Sequence, residues 1–426
     1  MIKDLSIVIP VKNEGGNIKT LLRELRRVVD GLNVNYEVIV VDGRSSDDTV
    51  LHASPFAEKV ITQKHPGYGN ALKDGFAEAG GEYIVTMDGD LSHSPEFIKT
   101  MYLEREGAEL VIASRYVPGG RAMMSVGRKI LSLILNRVFS RILSLPIRDI
   151  SSGFRLYKAP ILRGMELFRG DFSILEEIAI RMWNDGYTIK EIPFTYVPRI
   201  HGRSKAKLVA FGVSYLKTLF SMWKLRNSYE TADYDDRAYD SVIPFQRYWQ
   251  RRRYSTVMRF LGNNGRILDI GCGSSRIIKS LPRSVGLDMS MSKLRYLRMT
   301  NPKLVNASIF GLPFRPEVFD EVICSQVIEH VPMGPAIFDG FRDVLKEGGT
   351  LILGTPDYGR ISWWIIEFLY GILMPNSYKD KHITHYSFAR LRELLRVHGF
   401  DIKEYAYVFG SELIIKAQKR PGCVLL

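Results

Sequence analysis

The sequence predicts an α/β protein with two Rossmann-like cores in tandem, and three observations predict it. The chain has 426 residues, more than one hydrophobic core usually serves. Its first half alternates short apolar runs, SIVIPV, YEVIVVD, YIVTMD and ELVIASR, with helical stretches, the pattern of one α/β unit. The pattern then starts over: a second apolar run enters a glycine loop at Ile267, reading ILDIGCGSS, and Asp288 closes the next short run, SVGLD.

Composition is that of an ordinary globular protein, 46% hydrophobic and 25% charged. The formal charge of +13 is unevenly placed. Leu110 to Gly170 holds eleven Lys/Arg against two acids, Asp149 and Glu166, and Pro198 to Ser228 holds seven Lys/Arg and no acid. Such clustering implies an anionic partner: phosphates, acidic lipid head groups or nucleic acid. Cys272, Cys324 and Cys423 lack metal or disulfide spacing, which points to a reducing compartment.

In chain order, LSIVIPV is too short for a signal-peptide core and reads as a first strand. Asp42, Asp88 and Asp90 fall at strand ends, where ligands bind in open parallel sheets. In MDGD, two carboxylates at i and i+2 after a buried strand can reach a divalent ion and the diphosphate it bridges. Ile130 to Ile147 puts Leu131, Ile134, Leu135, Val138, Ile142 and Leu145 on one helical face, with Arg128, Lys129, Arg137 and Arg141 elsewhere, as in a helix lying in a membrane interface. Leu208 to Leu225 is apolar with a narrow polar stripe, and its Lys217 and Lys224 can reach head groups. No uncharged run reaches the length of a transmembrane helix.

The stretches SIVIPVKNEGGNI, VVDGRSSDDT, PGYGNALKDGF, YIVTMDGDLSHSPE, VIASRYVPGG, ISSGFRLYK and FTYVPRIHGRSK stand in an order that resembles glycosyltransferase family 2, in its dolichyl-phosphate mannosyltransferase-like branch. The resemblance spans nearly all of the first 207 residues. It implies a GT-A fold, a nucleotide-sugar donor and a polyprenyl-phosphate acceptor. It also implies that Pro10, Glu14 and Asp42 line the nucleoside pocket and that Asp88 and Asp90 bind Mg2+ or Mn2+ and the donor. Arg115, Arg128, Ser132 and Arg199 would hold acceptor phosphate oxygens. The chemistry is consistent: a lipid monophosphate is already an anion at neutral pH and attacks without a general base, while arginine forks position it. Gly43, Arg44 and Ser92 depart from residues common in the family.

An acidic, tyrosine-rich stretch, ETADYDDRAYD, and a basic segment, YWQRRRYSTVMRFL, precede the second core, and the boundary falls near Tyr229, giving domains 1–228 and 229–426. The DIGCGSS loop lets a ligand approach the backbone closely, and Asp288 suits ribose hydroxyls. The continuation SIFGLPFRPEVFDEVICSQVIEHV and FRDVLKEGGTLILGTP resembles class I S-adenosylmethionine-dependent methyltransferases. That resemblance implies a methionine-side loop of Asp269, Gly271 and Gly273, a ribose contact at Asp288, and Ser308 and Ile309 beside adenine. His330, in Glu329-His330, is expected to be structural; His382 and His385 fall where they can cover a substrate. ISWWIIEFLYGILMP is too short to span a bilayer and reads as a cap helix or an apolar lip. CVLL matches a prenylation box but reads as an accident of the tail.

Together these features predict a bifunctional enzyme, peripheral on the cytoplasmic face of the membrane. One half would transfer a sugar to polyprenyl phosphate with inversion, the other a methyl group from S-adenosylmethionine. The alternative is a glycosyltransferase acting on a glycan or protein hydroxyl, with a non-catalytic second domain. Nucleic acid is not expected as a partner, because the basic charge sits mainly in the first domain.

Overall fold

The protein is described from a computed structural model, and the described residues are 3–198, 208–262, 265–301, 303–373 and 382–422. The chain divides into two compact units, one comprising Met1–Trp183 and Tyr187–Arg226, the other Asn184–Gly186 and Asn227–Leu426.

The first unit is built on a seven-stranded sheet of order β3-β2-β1-β4-β7-β5-β8. Its strands are β1 (Lys3–Val11), β2 (Tyr36–Asp42), β3 (Lys59–Thr62), β4 (Gly81–Thr86), β5 (Leu110–Ser114), β7 (Arg155–Lys158) and β8 (Ile189–Pro193); β6 (Arg121–Ala122) and β9 (Thr195–Tyr196) pair separately. β1, β2, β3 and β4 are parallel, whereas β7 runs antiparallel to both β4 and β5. Both faces of β1 are covered, so Leu5, Ile7, Val8 and Ile9 are all fully buried and the strand reads as a continuous apolar run. The helix Ile18–Asp30 buries Ile18, Leu21, Leu22, Leu25, Val28 and Val29, the three-and-four spacing of one helical stripe. On the other face the helix Tyr68–Glu78 lies so close that a Cβ on Gly75 would come 2.3 Å from Val8 Cγ1. Because β1 sits between β2 and β4, connections leave it in opposite directions and open a crevice at its carboxyl end.

One buried charge braces that end. Arg155 is fully buried on β7, and its guanidinium donates to the carbonyls of Ile150, Ser152 (2.6 Å) and Leu175 (2.7 Å). Its positive charge thus fixes the loop beside the carboxyl end of β4.

The second unit holds another seven-stranded sheet, β12-β11-β10-β13-β14-β16-β15. The strands are β10 (Ile267–Ile270), β11 (Val285–Asp288), β12 (Leu304–Asn306), β13 (Phe319–Ser325), β14 (Leu345–Pro356), β15 (Phe400–Val408) and β16 (Glu412–Lys419). The first five are parallel, and β16 is antiparallel to both neighbours. The order reverses at β10, again opening a crevice at a strand's carboxyl end. The helix Pro244–Phe260 is tied to β16 by Glu412, which is fully buried and accepts from Trp249 Nε1 and from Arg253 at 2.5 and 2.7 Å. Among the described residues no helix is long and apolar enough to cross a membrane.

Candidate active sites

The crevice of the first unit collects residues from three strands. Pro10 and Asp42 are at the carboxyl ends of adjacent β1 and β2, and Met87-Asp88-Gly89-Asp90 follows β4. Asp42 is buried and both its oxygens take the Ser45 N–H, at 3.0 and 3.3 Å. Glu14 is half-buried; it accepts from Asn17 Nδ2 at 2.7 Å, and its own N–H donates to Thr49 Oγ1 at 2.8 Å.

Asp88 and Asp90 have different surroundings. The Asp88 side chain is about a third open, while Asp90 is buried and its Oδ1 accepts the Ser92 N–H at 3.1 Å. His93, stacked on Phe154 with ring centroids 4.8 Å apart, takes the Asp88 N–H on Nδ1 at 3.0 Å. Its ring proton is therefore on Nε2, 3.8 Å from Asp88 Oδ2, and burial holds its pKa below the usual histidine range, so the ring is neutral. The Tyr68 hydroxyl lies 3.5 Å from Asp88 Oδ1, kept protonated first by burial and then by the Asp88 charge. Gly153 leaves this corner open: a Cβ there would come 2.8 Å from the Tyr68 hydroxyl and 3.7 Å from Asp88 Oδ1.

The two carboxylates offer oxygen donors only, which suits Mg2+ or Mn2+, and the Ser92 hydroxyl is fully buried with no hydrogen-bond partner in the protein. No third His, Cys, Asp or Glu joins Asp88 and Asp90 at ligand spacing among the described residues.

The residues expected to grip the acceptor phosphate are partly brought together. Arg115 is held in a two-pronged ion pair by Asp149, which is fully buried: Nε donates at 2.8 Å and Nη2 at 2.6 Å, and Nη2 also reaches Ser151 Oγ at 2.9 Å. Nη1 is the nitrogen this pairing leaves over. Ser151 Oγ accepts from Asn136 Nδ2 at 3.0 Å, and Asn136, buried on the helix Val126–Ile142, reaches the carbonyl of Ser132 at 2.8 Å and its Oγ at 3.4 Å. Arg115 and Ser132 are thus joined through two residues that the sequence reading missed. Arg128, one helical turn before Ser132, is exposed, and Arg199 lies outside the described residues.

The same helix leaves Val126, Ile130, Ile134, Val138 and Ile142 between 41% and 73% exposed, a stripe at every fourth residue. Leu145, expected on the apolar face, instead turns into the core. On the helix Leu208–Arg226, Phe220 and Trp223 are exposed and stack with centroids 6.3 Å apart, and Lys224 lies over Phe220 at 4.9 Å.

In the second unit a cavity of about 430 Å³ opens over the carboxyl ends of β10 and β11, lined by Asp269, Gly271, Gly273, Asp288 and Ile309 among others. Gly271 (φ +65°) and Gly273 (φ +53°) occupy left-handed backbone, and a Cβ would meet Val327 Cγ2 at 2.3 Å or Asp235 Oδ2 at 2.5 Å. Asp288 shapes the loop by accepting the Gly273 N–H at 2.8 Å and the Ser290 N–H at 2.7 Å. Asp269 Oδ2 is buried without a partner, and its pKa is pushed up to about 8, first by burial and then by the Asp288 charge. A carboxyl group left unsatisfied beside a glycine cradle fits a cationic, methionine-bearing cofactor. Ser308 is not among the lining residues; its Oγ accepts the Phe310 N–H at 3.3 Å, while Ala307 and Ile309 on either side of it line the cavity. The acidic stretch before this core closes one wall: Asp235 accepts from Ser274 N at 3.1 Å and Lys293 Nζ at 2.9 Å.

Glu329, which precedes His330 in the chain, is fully buried, and burial raises its pKa to about 8. His330 and His382 line the wall with ring centroids 4.9 Å apart, and His382 is pushed down to about 4, first by burial and then by His330 and His385. Cys272 and Cys324 are free and buried, their thiols held well above the usual range chiefly by burial.

Residues 6–165 match the model of the family described as Glycosyl transferase family 2, and residues 268–353 match that of a methyltransferase domain. The chain is 36% identical to a dolichol-phosphate mannosyltransferase of Pyrococcus furiosus over 52% of this chain and 64% of that one, so it spans less than two thirds of that relative. It is 32% identical to an undecaprenyl-phosphate mannosyltransferase of Micrococcus luteus (46% of this chain, 85% of the relative). A polyprenol monophosphomannose synthase of Mycolicibacterium smegmatis is 28% identical (53% and 89%). The chain therefore belongs to glycosyl transferase family 2, and its C-terminal half carries a methyltransferase domain.

Proposed function

We propose that the first unit transfers mannose or a similar hexose from a nucleotide sugar to a polyprenyl phosphate, with inversion. The observation that carries this reading is the MDGD pair at the crevice of β1 and β4, in a chain 32% identical over most of an undecaprenyl-phosphate mannosyltransferase. Asp88 and Asp90 would hold Mg2+ or Mn2+, which when bound neutralises charge on the nucleoside diphosphate leaving group. The Tyr68 hydroxyl donates to the Asp88 carboxylate, and neutral His93 accepts the Asp88 N–H, so the two hold Asp88 in place from either side. Pro10, Glu14 and Asp42 flank the nucleoside. Arg128, Ser132 and Arg199 would steer the acceptor phosphate, which needs no base because it is already ionised. Arg115, anchored by Asp149, offers Nη1 to the same phosphate. The exposed stripe of Val126–Ile142, with Lys217 and Lys224, would rest on the cytoplasmic face of the membrane, where a polyprenyl chain is reached.

The second unit would bind S-adenosylmethionine with Asp269, Gly271, Gly273 and Asp288 and pass its methyl group to an oxygen of a related glycolipid. The test is incubation with radiolabelled nucleotide sugars and polyprenyl phosphate, with and without S-adenosylmethionine. Label should enter the organic phase as a product cleaved by mild acid. Label found only on a glycan or a protein would replace the lipid acceptor with a hydroxyl one.

A further inference from the structure

We propose that Glu329, His330 and His382 form a divalent-cation site in the wall of the second unit's cavity, with a coordination position open to an acceptor oxygen. Each residue offers one ligand atom, and the three atoms lie within 4.8 Å of one another, close enough for one ion to join them by small side-chain movements. No other such group of three occurs among the described residues.

The surrounding bonds prepare the donors. Glu329 Oε2 is fixed by the Thr355 hydroxyl at 3.1 Å, while Oε1 is fully buried and has no hydrogen-bond partner, an arrangement that costs free energy unless something positive meets it. The Glu329 carbonyl accepts the N–H groups of Ile383 and Thr384 at 2.7 and 3.0 Å, which ties the segment carrying His382 to the turn carrying His330. The Tyr358 hydroxyl donates its one proton to Glu367 at 2.9 Å, so at its 2.6 Å contact with His382 Nδ1 it accepts. His382 therefore carries its proton on Nδ1 and presents the Nε2 lone pair, the tautomer an outer tyrosine imposes on a metal-binding histidine.

The donor set, two imidazoles and one carboxylate, suits Zn2+, Mn2+, Fe2+ or Co2+ rather than a thiolate-seeking ion. His330 and His382 line the cavity together with Asp269 and Asp288, whereas Glu329 is fully buried, so an open position on the ion would face that shared space. A site of three protein ligands with one open position is the catalytic rather than the structural kind. The acceptor chemistry rests on the methyl-transfer reading above, whereas cation binding does not. A hydroxyl bound there would lose its proton to water. Its oxygen would form a bond to the methyl carbon as the carbon–sulfur bond breaks, and the sulfonium would leave as a neutral thioether.

Co2+ is the probe, because histidine ligands give it intense visible absorption. The full chain carrying Asp88→Asn and Asp90→Asn, stripped with chelator and dialysed, silences the first unit. It should take up one Co2+ ion per chain with those bands. Adding His382→Ala or Glu329→Gln should abolish uptake, and Tyr358→Phe should weaken it about 10- to 100-fold. Circular dichroism identifies a variant that fails to fold, in which case the other decides. Absence of Co2+ uptake in the silenced chain, or uptake and bands unchanged in both folded variants, overturns the site and leaves a metal-free acid–base cluster. Failure of S-adenosylmethionine to bind by calorimetry, with Co2+ uptake intact, would instead remove the methyl-transfer reading alone.

Discussion

At the scale of single residues, Asp90 is the more informative carboxylate of its pair, because it is buried and its Oδ1 accepts the Ser92 N–H, whereas the Asp88 side chain is about a third open. Asp90→Asn keeps an acceptor there and removes the charge. Sugar transfer should fall roughly a hundredfold or more, from the several kcal/mol a bound cation supplies, with the melting curve unchanged. Near-normal turnover at saturating Mn2+ would remove Asp90 from the metal site. Arg115 and Arg128 separate by burial. Arg115→Ala leaves buried Asp149 without its ion-pair partner and should cost about 3–5 kcal/mol of stability. Arg128→Ala, at an exposed position, should shift stability by no more than about 0.5 kcal/mol and raise the acceptor KM instead. Thermal melts beside acceptor titrations check both. Asp269 supplies a pH prediction. Its folded value of about 8 lies above the unfolded one, so its contribution to stability is full below about pH 4 and is lost as pH rises through 8. A cationic cofactor favours the ionised form, so S-adenosylmethionine affinity should rise from about pH 6 toward 8 with release of a proton. Calorimetry in two buffers measures that release, and Asp269→Asn should flatten the dependence. The acids at strand ends were legible from MDGD and SVGLD because they follow apolar runs directly. The anchoring of Arg115 by Asp149 was not, because that partner lies 34 residues away, and Asn136 read as an ordinary helix position.

Among elements, the helix Val126–Ile142 shows how far a periodicity can be read. Its apolar positions were visible in the sequence, but burial is decided by which neighbours the fold supplies: Asn136 and Phe139 are buried and Leu135 packs against the core. The stripe at every fourth residue therefore points to a surface outside the protein. Ile134→Asn with Val138→Asn should weaken binding to vesicles by about the free energy of two buried aliphatic side chains, ~3 kcal/mol. Lys217→Glu with Lys224→Glu should weaken binding only to anionic vesicles and mainly at low salt. Vesicle sedimentation at two salt concentrations separates the effects, and no loss from either pair would leave the stripe without a membrane role. The four long apolar runs of the first half became β1, β2, β4 and β5 as read, whereas β3, β7 and β8 were hidden. RLYK looks too short and too polar for a central strand. It is one because Arg155 finds three backbone carbonyls in place of water.

For the whole molecule, the repetition of an α/β pattern was legible, but the strand orders were not, since antiparallel β7 and the exchange of β15 and β16 depend on long-range pairing. Two separate crevices predict separable chemistry. Asp288→Ala should lose roughly 1.5–3 kcal/mol of S-adenosylmethionine binding, as expected for a charged acceptor, and should also loosen the loop at Gly273, while sugar transfer persists. Calorimetry and the sugar-transfer assay on one preparation check the pair, and a parallel fall in both would mean that the two sites share a core. The bond from Trp249 to Glu412 spans 163 positions of chain. As the polypeptide leaves the ribosome, the strands of the first sheet are all present once Pro193 has emerged, and that sheet is free to form early. The wall of the second cavity, to which Trp249 and Arg253 belong, waits for Glu412. Sugar-transfer capacity should therefore mature ahead of the cofactor pocket, and nascent chains halted before residue 412 would make glycolipid without holding S-adenosylmethionine.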